Sequence, residues 1–202
     1  MKLSVLIPAY NPGPWLRKII ISLEEQIARH PDTEIIVVDD GSKESLEWVR
    51  KYPHVRYART DNGGEARARN ICLALAIGEY IQFLDADDVI YDNCLDVIYE
   101  NIDAGYDWVA YDWECDGSTS GAKQNHDILM LNCAVWAYTF KKAYISDVRF
   151  DERIVLGCDV EWLGRLLTDD CKHRHDPRVF YNYRWAGNND SMCHRKLRGE
   201  LV

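Results

Sequence analysis

Asp85, Asp87 and Asp88 crowd the end of an apolar run, in the stretch Phe83-Leu84-Asp85-Ala86-Asp87-Asp88. Like charges this close repel, so such a group either lies in water as a solvated turn or has a cation nearby. If the chain there is extended, Asp85 and Asp87 project to the same side and address one site. A hard divalent ion such as Mg²⁺ or Mn²⁺ takes oxygen ligands, accepts one or two protein carboxylates, and fills its other positions with water and substrate phosphates. The chemistry expected of this pair is a metal-held diphosphate, with a solvated acidic turn as the alternative. A net charge of −9 gives that expectation a purpose, since a bridging cation lets an acidic protein hold an anionic nucleotide.

Apolar runs at 3–7, 34–38, 55–58 and 80–84 read as strands. Between them lie helical spacings: Trp15, Ile19, Leu23 and Ile27, with Pro14 in the first turn; Leu46 and Val49, capped by Ser42; and about 65–77, stopped at Gly78. A fourth helix carries Leu95, Ile98 and Ile102, with Asp92 as its cap, and a strand follows at 108–113. This alternation predicts an α/β domain whose mainly parallel sheet is covered by helices on both faces. In such a sheet the ligand crevice lies beyond the carboxyl ends of the strands. Pro8-Ala9-Tyr10-Asn11, Asp39-Asp40-Gly41-Ser42 and Asp85-Ala86-Asp87-Asp88 all fall there, although Asp40-Gly41-Ser42 is also a good turn and cap. Past the fifth strand, 116–127 is polar, rich in Gly and Ser, and reads as a mobile loop. Residues 134–140 and 179–185 alternate as strands, and 160–167 has helical spacing. One domain over 1–202 is expected, with about 1–112 binding nucleotide and about 113–202 supplying the rest of a cleft.

Composition excludes several classes. With 47% hydrophobic residues, seven Trp and twelve Tyr, the chain is globular and not disordered. Its acidity argues against nucleic acid as a partner, because phosphate-backbone binding needs a basic face. No continuous apolar run approaches about 18 residues, so the expected place is the cytoplasm. The basic end His194–Arg198 offers peripheral contact with the inner face of a membrane or with diphosphate. Seven dispersed cysteines without a CxxC pair suggest reduced thiols, neither a disulfide framework nor a zinc site.

Together the motifs LSVLIPAYN (3–11), EIIVVDDGS (34–42), NGGEARARN (62–70) running on to GEYIQFLDADD (78–88), and RFDERIVLGCDVEWLGRLL (149–167) resemble the family 2 glycosyltransferases. The likeness extends from Leu3 to about Arg184. It implies a GT-A fold with a Rossmann-like sheet, a nucleotide-sugar donor with UDP-sugar as the expected class, a divalent metal, and inversion at the anomeric carbon. The acceptor it implies is a glycan or lipid-linked glycan, as in polysaccharide biosynthesis. By the same resemblance Pro8, Ala9 and Tyr10 line the nucleobase and ribose pocket, and Asp40 accepts a hydrogen bond from the base. Asp85 lies near ribose and metal, Asp87 is the principal metal ligand, and Asp88 orients it. Arg67 follows the Asn62-Gly63-Gly64 turn, where a guanidinium can meet the donor or simply face solvent. Asp159 is the candidate general base, and an acid near a helix N-terminus is favourably placed there whether as base or as cap. The family commonly has a Glu-Asp pair at this point; this chain has Cys158-Asp159.

Other expectations are less specific. Glu161 is a substitute base; Arg69 faces solvent or a structural carboxylate; Asn70 ties its helix to a loop. Trp136 and Tyr138 lie where acceptor contacts are expected, though alternating aromatics on a strand also make core. Trp113, Trp162 and Trp185 share that ambiguity. His173 and His175 read as surface residues, and His194 is a candidate for the metal shell on loop closure. Two further functions compete: a sugar-nucleotide binding module that has lost turnover, and a nucleotidyltransferase, which lacks its Gly-rich basic opening loop here. No GxGxxG follows the first strand, which disfavours a dehydrogenase.

Overall fold

The computed structural model describes residues 1–116, 118–119 and 134–185. The apolar runs of the N-terminal half form β1 (Leu3–Ala9), β2 (Thr33–Asp40), β3 (Val55–Thr60) and β4 (Tyr80–Phe83). β1 lies between β2 and β4, β3 lies outside β2, and all of these pairs are parallel. Every residue of β2 is buried, as expected for a strand covered on both faces. α1 (Trp15–Ile27) buries Leu16, Ile19, Ile20, Leu23 and Ile27, one stripe at helical spacing. Each such side chain contributes about 1.5–3 kcal/mol on burial. α2 (Glu65–Leu75) packs across β1 and β2.

The second half extends the same sheet. After β5 (Val89–Ile90) and α3 (Cys94–Asp103) come β6 (Trp108–Cys115), β7 (Ser118–Thr119) and β8 (Tyr138–Lys141). α4 (Lys142–Ile145), α5 (Cys158–Leu166) and β9 (His173–Tyr183) complete the chain. Among the described residues the strand order is β3-β2-β1-β4-β8-β6-β9-β5, with β7 on β6. The β4–β8 and β6–β8 pairs are antiparallel, whereas β6 and β9 run parallel. The fold is thus the expected mixed α/β sheet flanked by helices. No helix among the described residues is long and apolar enough to cross a membrane.

Several local expectations are corrected. Ser42 caps no helix: its hydroxyl accepts the Asn11 amide, and only a 3₁₀ turn forms, at Glu47–Lys51. α2 stops at Leu75, short of Gly78, whose absent side chain instead lets Ser4 approach; a Cβ there would lie 2.6 Å from the Ser4 nitrogen. Asn93 rather than Asp92 precedes α3. Residues 134–140 are not one strand, because Val135–Ala137 is a 3₁₀ turn leading into β8. β9 begins at His173, well before the alternating segment. It passes Pro177 through a register shift that spares the ladder an amide proline lacks. Most of the 116–127 loop lies outside the described residues.

Candidate functional site

The loops that leave β1, β2 and β4 meet at the carboxyl edge of the sheet. Asn11 and Ser42 tie the first two together: the Asn11 amide donates to Ser42 Oγ at 2.9 Å, and the Lys43 amide to Asn11 Oδ1 at 2.9 Å. Below them the buried Asp39 accepts the Ser42 amide at 2.8 Å, Tyr57 Oη at 2.9 Å and Arg59 Nη1 at 2.7 Å. Pro8 is partly exposed, Ala9 is buried as part of the wall, and Tyr10 leaves 45% of its surface open.

Asp40 is buried, and its two oxygens accept the Gly63 and Gly64 amides, each at 2.9 Å. Burial pushes its carboxyl up, while those amides and the Arg67 charge hold it back. The bend beside it needs glycine: Gly41 has φ +76°, and a Cβ would lie 2.7 Å from the Asn62 nitrogen. Arg67 is half-buried and folds back over Gly63, where a Cβ would lie 2.4 Å from Arg67 Cδ.

The acidic motif is a turn, not extended chain, since β4 ends at Phe83 and the turn centres on Ala86 and Asp87. Even so, Asp85 and Asp87 are partly exposed while Ala86 and Asp88 are buried. Asp88 is held from β9 and just beyond it: Tyr181 Oη donates to Oδ2 at 2.5 Å and the Arg184 amide to Oδ1 at 2.8 Å. Burial and the Asp87 charge push Asp88 up to about 7, against those two hydrogen bonds. Arg184 Nη1 donates to the Asp87 carbonyl at 2.9 Å, and its guanidinium lies 3.5 Å from the Trp15 ring centre. Among the described residues no group of three His, Cys, Asp or Glu side chains gathers as a metal cage. The donor chemistry still fits Mg²⁺ or Mn²⁺, which need only one or two carboxylates and complete the shell with water and phosphate. Asp85 and Asp87 are two hard oxygen donors open to solvent on one turn.

Behind this turn lies Arg69, which does not face solvent: it is 1% exposed. Its Nη2 is 2.6 Å from Glu65 Oε1 and 3.4 Å from Asp85 Oδ1, and Nη1 donates to Cys158 Sγ at 3.3 Å. Burial pushes the Asp85 carboxyl well up; Arg69 opposes this, and the Glu65, Asp88 and Asp87 charges add to it. Asn70, next along α2, does tie helix to loop, donating to the Phe150 carbonyl at 3.0 Å and accepting its amide at 2.9 Å.

Asp159 stands in the first turn of α5, partly exposed, with Oδ1 accepting the Val160 amide at 3.0 Å. Its chain neighbour Cys158 accepts from Arg69, whose guanidinium also reaches Asp85, so one buried side chain links the start of α5 to the acidic turn. Glu161 lies two residues further along α5 and pairs at the surface with Arg165, 2.6 Å from its Nε. The acceptor expectation for Trp136 and Tyr138 fails on burial: they are 5% and 0% exposed. Trp136 stacks on Tyr181 at 4.3 Å, and Tyr138 packs edge-on against Trp108. Trp162 is core as well, whereas Trp185 keeps 37% of its surface open. His173 and His175 lie at the surface as expected, the first partly and the second more exposed, and each has a partner: His173 stacks on Trp108 at 4.4 Å and His175 is 2.8 Å from Asp112 Oδ1. His194 and the 194–198 segment lie outside the described residues.

Sequence reasoning missed Glu65 and Tyr181. Glu65 carried a signal, since Glu65 and Arg69 are four apart on one helix. Tyr181 carried none, because its partner Asp88 is 93 residues away.

The sequence matches the family model described as glycosyl transferase family 2 over residues 4–165. It is 30% identical over 207 residues to the minor teichoic acid biosynthesis protein GgaB of Bacillus subtilis, covering 90% of this chain and 23% of that one. It is 27% identical to the uncharacterized glycosyltransferase YibD of Escherichia coli, covering 96% and 64%. Among solved structures, Staphylococcus aureus TarS in complex with UDP superposes with a TM-score of 0.81 at 23% identity, over 94% of this chain and 62% of that one. TarS in complex with UDP-GlcNAc gives 0.80 at 22% identity, over 92% and 59%. The chain thus spans between 23% and 64% of the lengths of these proteins.

Proposed function

The chain belongs to glycosyl transferase family 2 and has its GT-A fold, and on that premise we propose that it moves a sugar from a UDP-sugar to a glycan or lipid-linked glycan, inverting the anomeric carbon. One observation carries the reading. The buried Arg69 guanidinium joins the two sides: it lies 3.4 Å from Asp85, the donor-side acid, and donates at 3.3 Å to Cys158, the residue before the acceptor-side acid Asp159.

In this reading Tyr10, with Pro8 and Ala9, lies against base and ribose. Asp40 fixes the Asn62–Gly64 loop beside the base, and Arg67 and the loop amides face the diphosphate. Asp87, with Asp85 beside it, would hold Mn²⁺ or Mg²⁺, which supplies positive charge for the leaving diphosphate. Asp159 takes the proton of the acceptor hydroxyl as its oxygen bonds to the anomeric carbon. The bond from that carbon to the diphosphate breaks on the opposite face, its electron pair leaving on the phosphate oxygen. No covalent enzyme intermediate is needed.

Thermal unfolding with UDP and UDP-sugars, with and without Mn²⁺, tests the donor side. A metal-dependent rise in Tm is expected, and Asp87→Ala abolishes it. Asp159→Asn keeps the rise but lowers donor hydrolysis or transfer by about 10²–10⁴-fold, the range for a general base. No rise with any nucleotide overturns the proposal. Cys158 in place of an acid favours a second reading, a binding module without turnover. A normal rise in Tm with neither hydrolysis nor transfer in the unaltered chain would decide for it.

A further inference from the structure

Arg69 is a buried cation that joins separate elements: Glu65 on its own helix, Asp85 in the turn after β4, and Cys158 at the start of α5. A buried charge needs a close opposite charge, and stranding one costs several kcal/mol. Cys158 does not meet that need, because burial pushes its thiol up to about 12 and leaves it neutral. Asp85 is a distant partner at 3.4 Å with a side chain 24% exposed. Glu65 is the close one, at 2.6 Å, and its other oxygen lies 3.9 Å from Cys158 Sγ. Around the guanidinium, the Glu65 carboxylate and the Cys158 side chain are therefore neighbours that approach from two helices. The Arg69 Nε has no partner among the described residues, so the guanidinium's orientation rests on its two terminal nitrogens.

We infer that Glu65 is a positioning residue of this site: from α2 it supplies the carboxylate that holds Arg69 between the Asp85 turn and the start of α5, where residue 158 offers only a thiol. The inference rests on the glycosyl-transfer reading above. Without Glu65, Arg69 has Asp85 as its one contacting carboxylate among the described residues. Its grip between the two helices loosens, which releases the first turn of α5 that carries Asp159. Donor binding survives; alignment between the two sides does not. The charge can equally come from the other helix, so a carboxylate at 158 takes over from one at 65.

The test uses the UDP-sugar, from a panel with Mn²⁺, that the unaltered chain hydrolyses fastest, together with thermal shift by UDP. Glu65→Gln is expected to lower turnover by about 100-fold, the order that an ångström of misplacement produces. The KM for donor and the shift with UDP stay within about threefold. Glu65→Gln combined with Cys158→Asp regains most of the lost turnover. A Glu65→Gln variant within about twofold of the parent turnover, or a folded double variant with no recovery, overturns the inference. Should Glu65→Gln fail to fold, the double variant alone decides: folding with turnover supports the exchange, and continued failure overturns it. An unaltered chain that neither binds UDP nor hydrolyses any donor sinks the glycosyl-transfer reading itself. An active chain indifferent to Glu65→Gln sinks only this inference.

Discussion

Tyr181 uses one hydroxyl twice, donating to Asp88 Oδ2 at 2.5 Å and accepting the Asp85 amide at 3.3 Å. Its ring is anchored on Trp136, so the hydroxyl reaches the acidic turn from a rigid base. Tyr181→Phe keeps the stack and removes both bonds. It should cost about 1.5–3 kcal/mol, the range for hydrogen bonds to charged groups. It should also weaken the Mn²⁺-dependent shift with UDP, and paired melts with and without metal check both effects. At this scale residue type and position at strand ends single out Asp40, Asp85 and Asp87 as candidates, and the family resemblance adds Asp159 on α5. The sequence did not reveal how those acids are held. Arg69 reads as facing either solvent or a structural carboxylate, and only the packing of α5, about ninety residues on, decides for the second. Trp136 and Tyr138 read equally well as platform or core until burial decides.

Among the elements, β9 departs furthest from its sequence signal. His173-Arg174-His175-Asp176-Pro177-Arg178 has neither apolar alternation nor a strand-compatible proline, so pattern reading starts the strand at 179. The structure accommodates these residues because Asp176, 1% exposed, gathers the local donors. It accepts Arg178 Nε at 3.0 Å, the Arg178 amide at 3.1 Å and Asn101 Nδ2 at 2.7 Å. Burial alone would raise this carboxyl, but Arg178 and Asn101 outweigh it and hold it at about 2. A folded value below the unfolded value of about 3.9 stabilises the fold above about pH 4, and that contribution is lost as pH falls toward 2. Denaturant unfolding at stepped pH should show this loss. Asp176→Asn should flatten the acid limb and lower stability at neutral pH by about 2 kcal/mol. β1, β2 and β4, by contrast, were legible almost to their ends, because covering helices keep them buried and mostly apolar.

At the scale of the whole molecule, the described cysteines Cys72, Cys94, Cys115, Cys158 and Cys171 form no disulfide with one another. Cys72, Cys94 and Cys158 are 0% exposed, and burial raises all three thiols, so they are neither reachable nor nucleophilic while the sheet and its helices stay closed. Native alkylation with iodoacetamide, read by peptide mass, should mark Cys171 and Cys115 and spare these three. Labelling of Cys158 as fast as Cys171 would show the α2–α5 junction opening. The grip of Asp40 on the Gly63 and Gly64 amides has a further bearing on kinetics. That loop of backbone loses its conformational freedom when the chain folds, not when a small molecule arrives. Association should then proceed as a collision with a preformed rim, and substitutions that free the rim would be felt as slower capture before they are felt as faster escape.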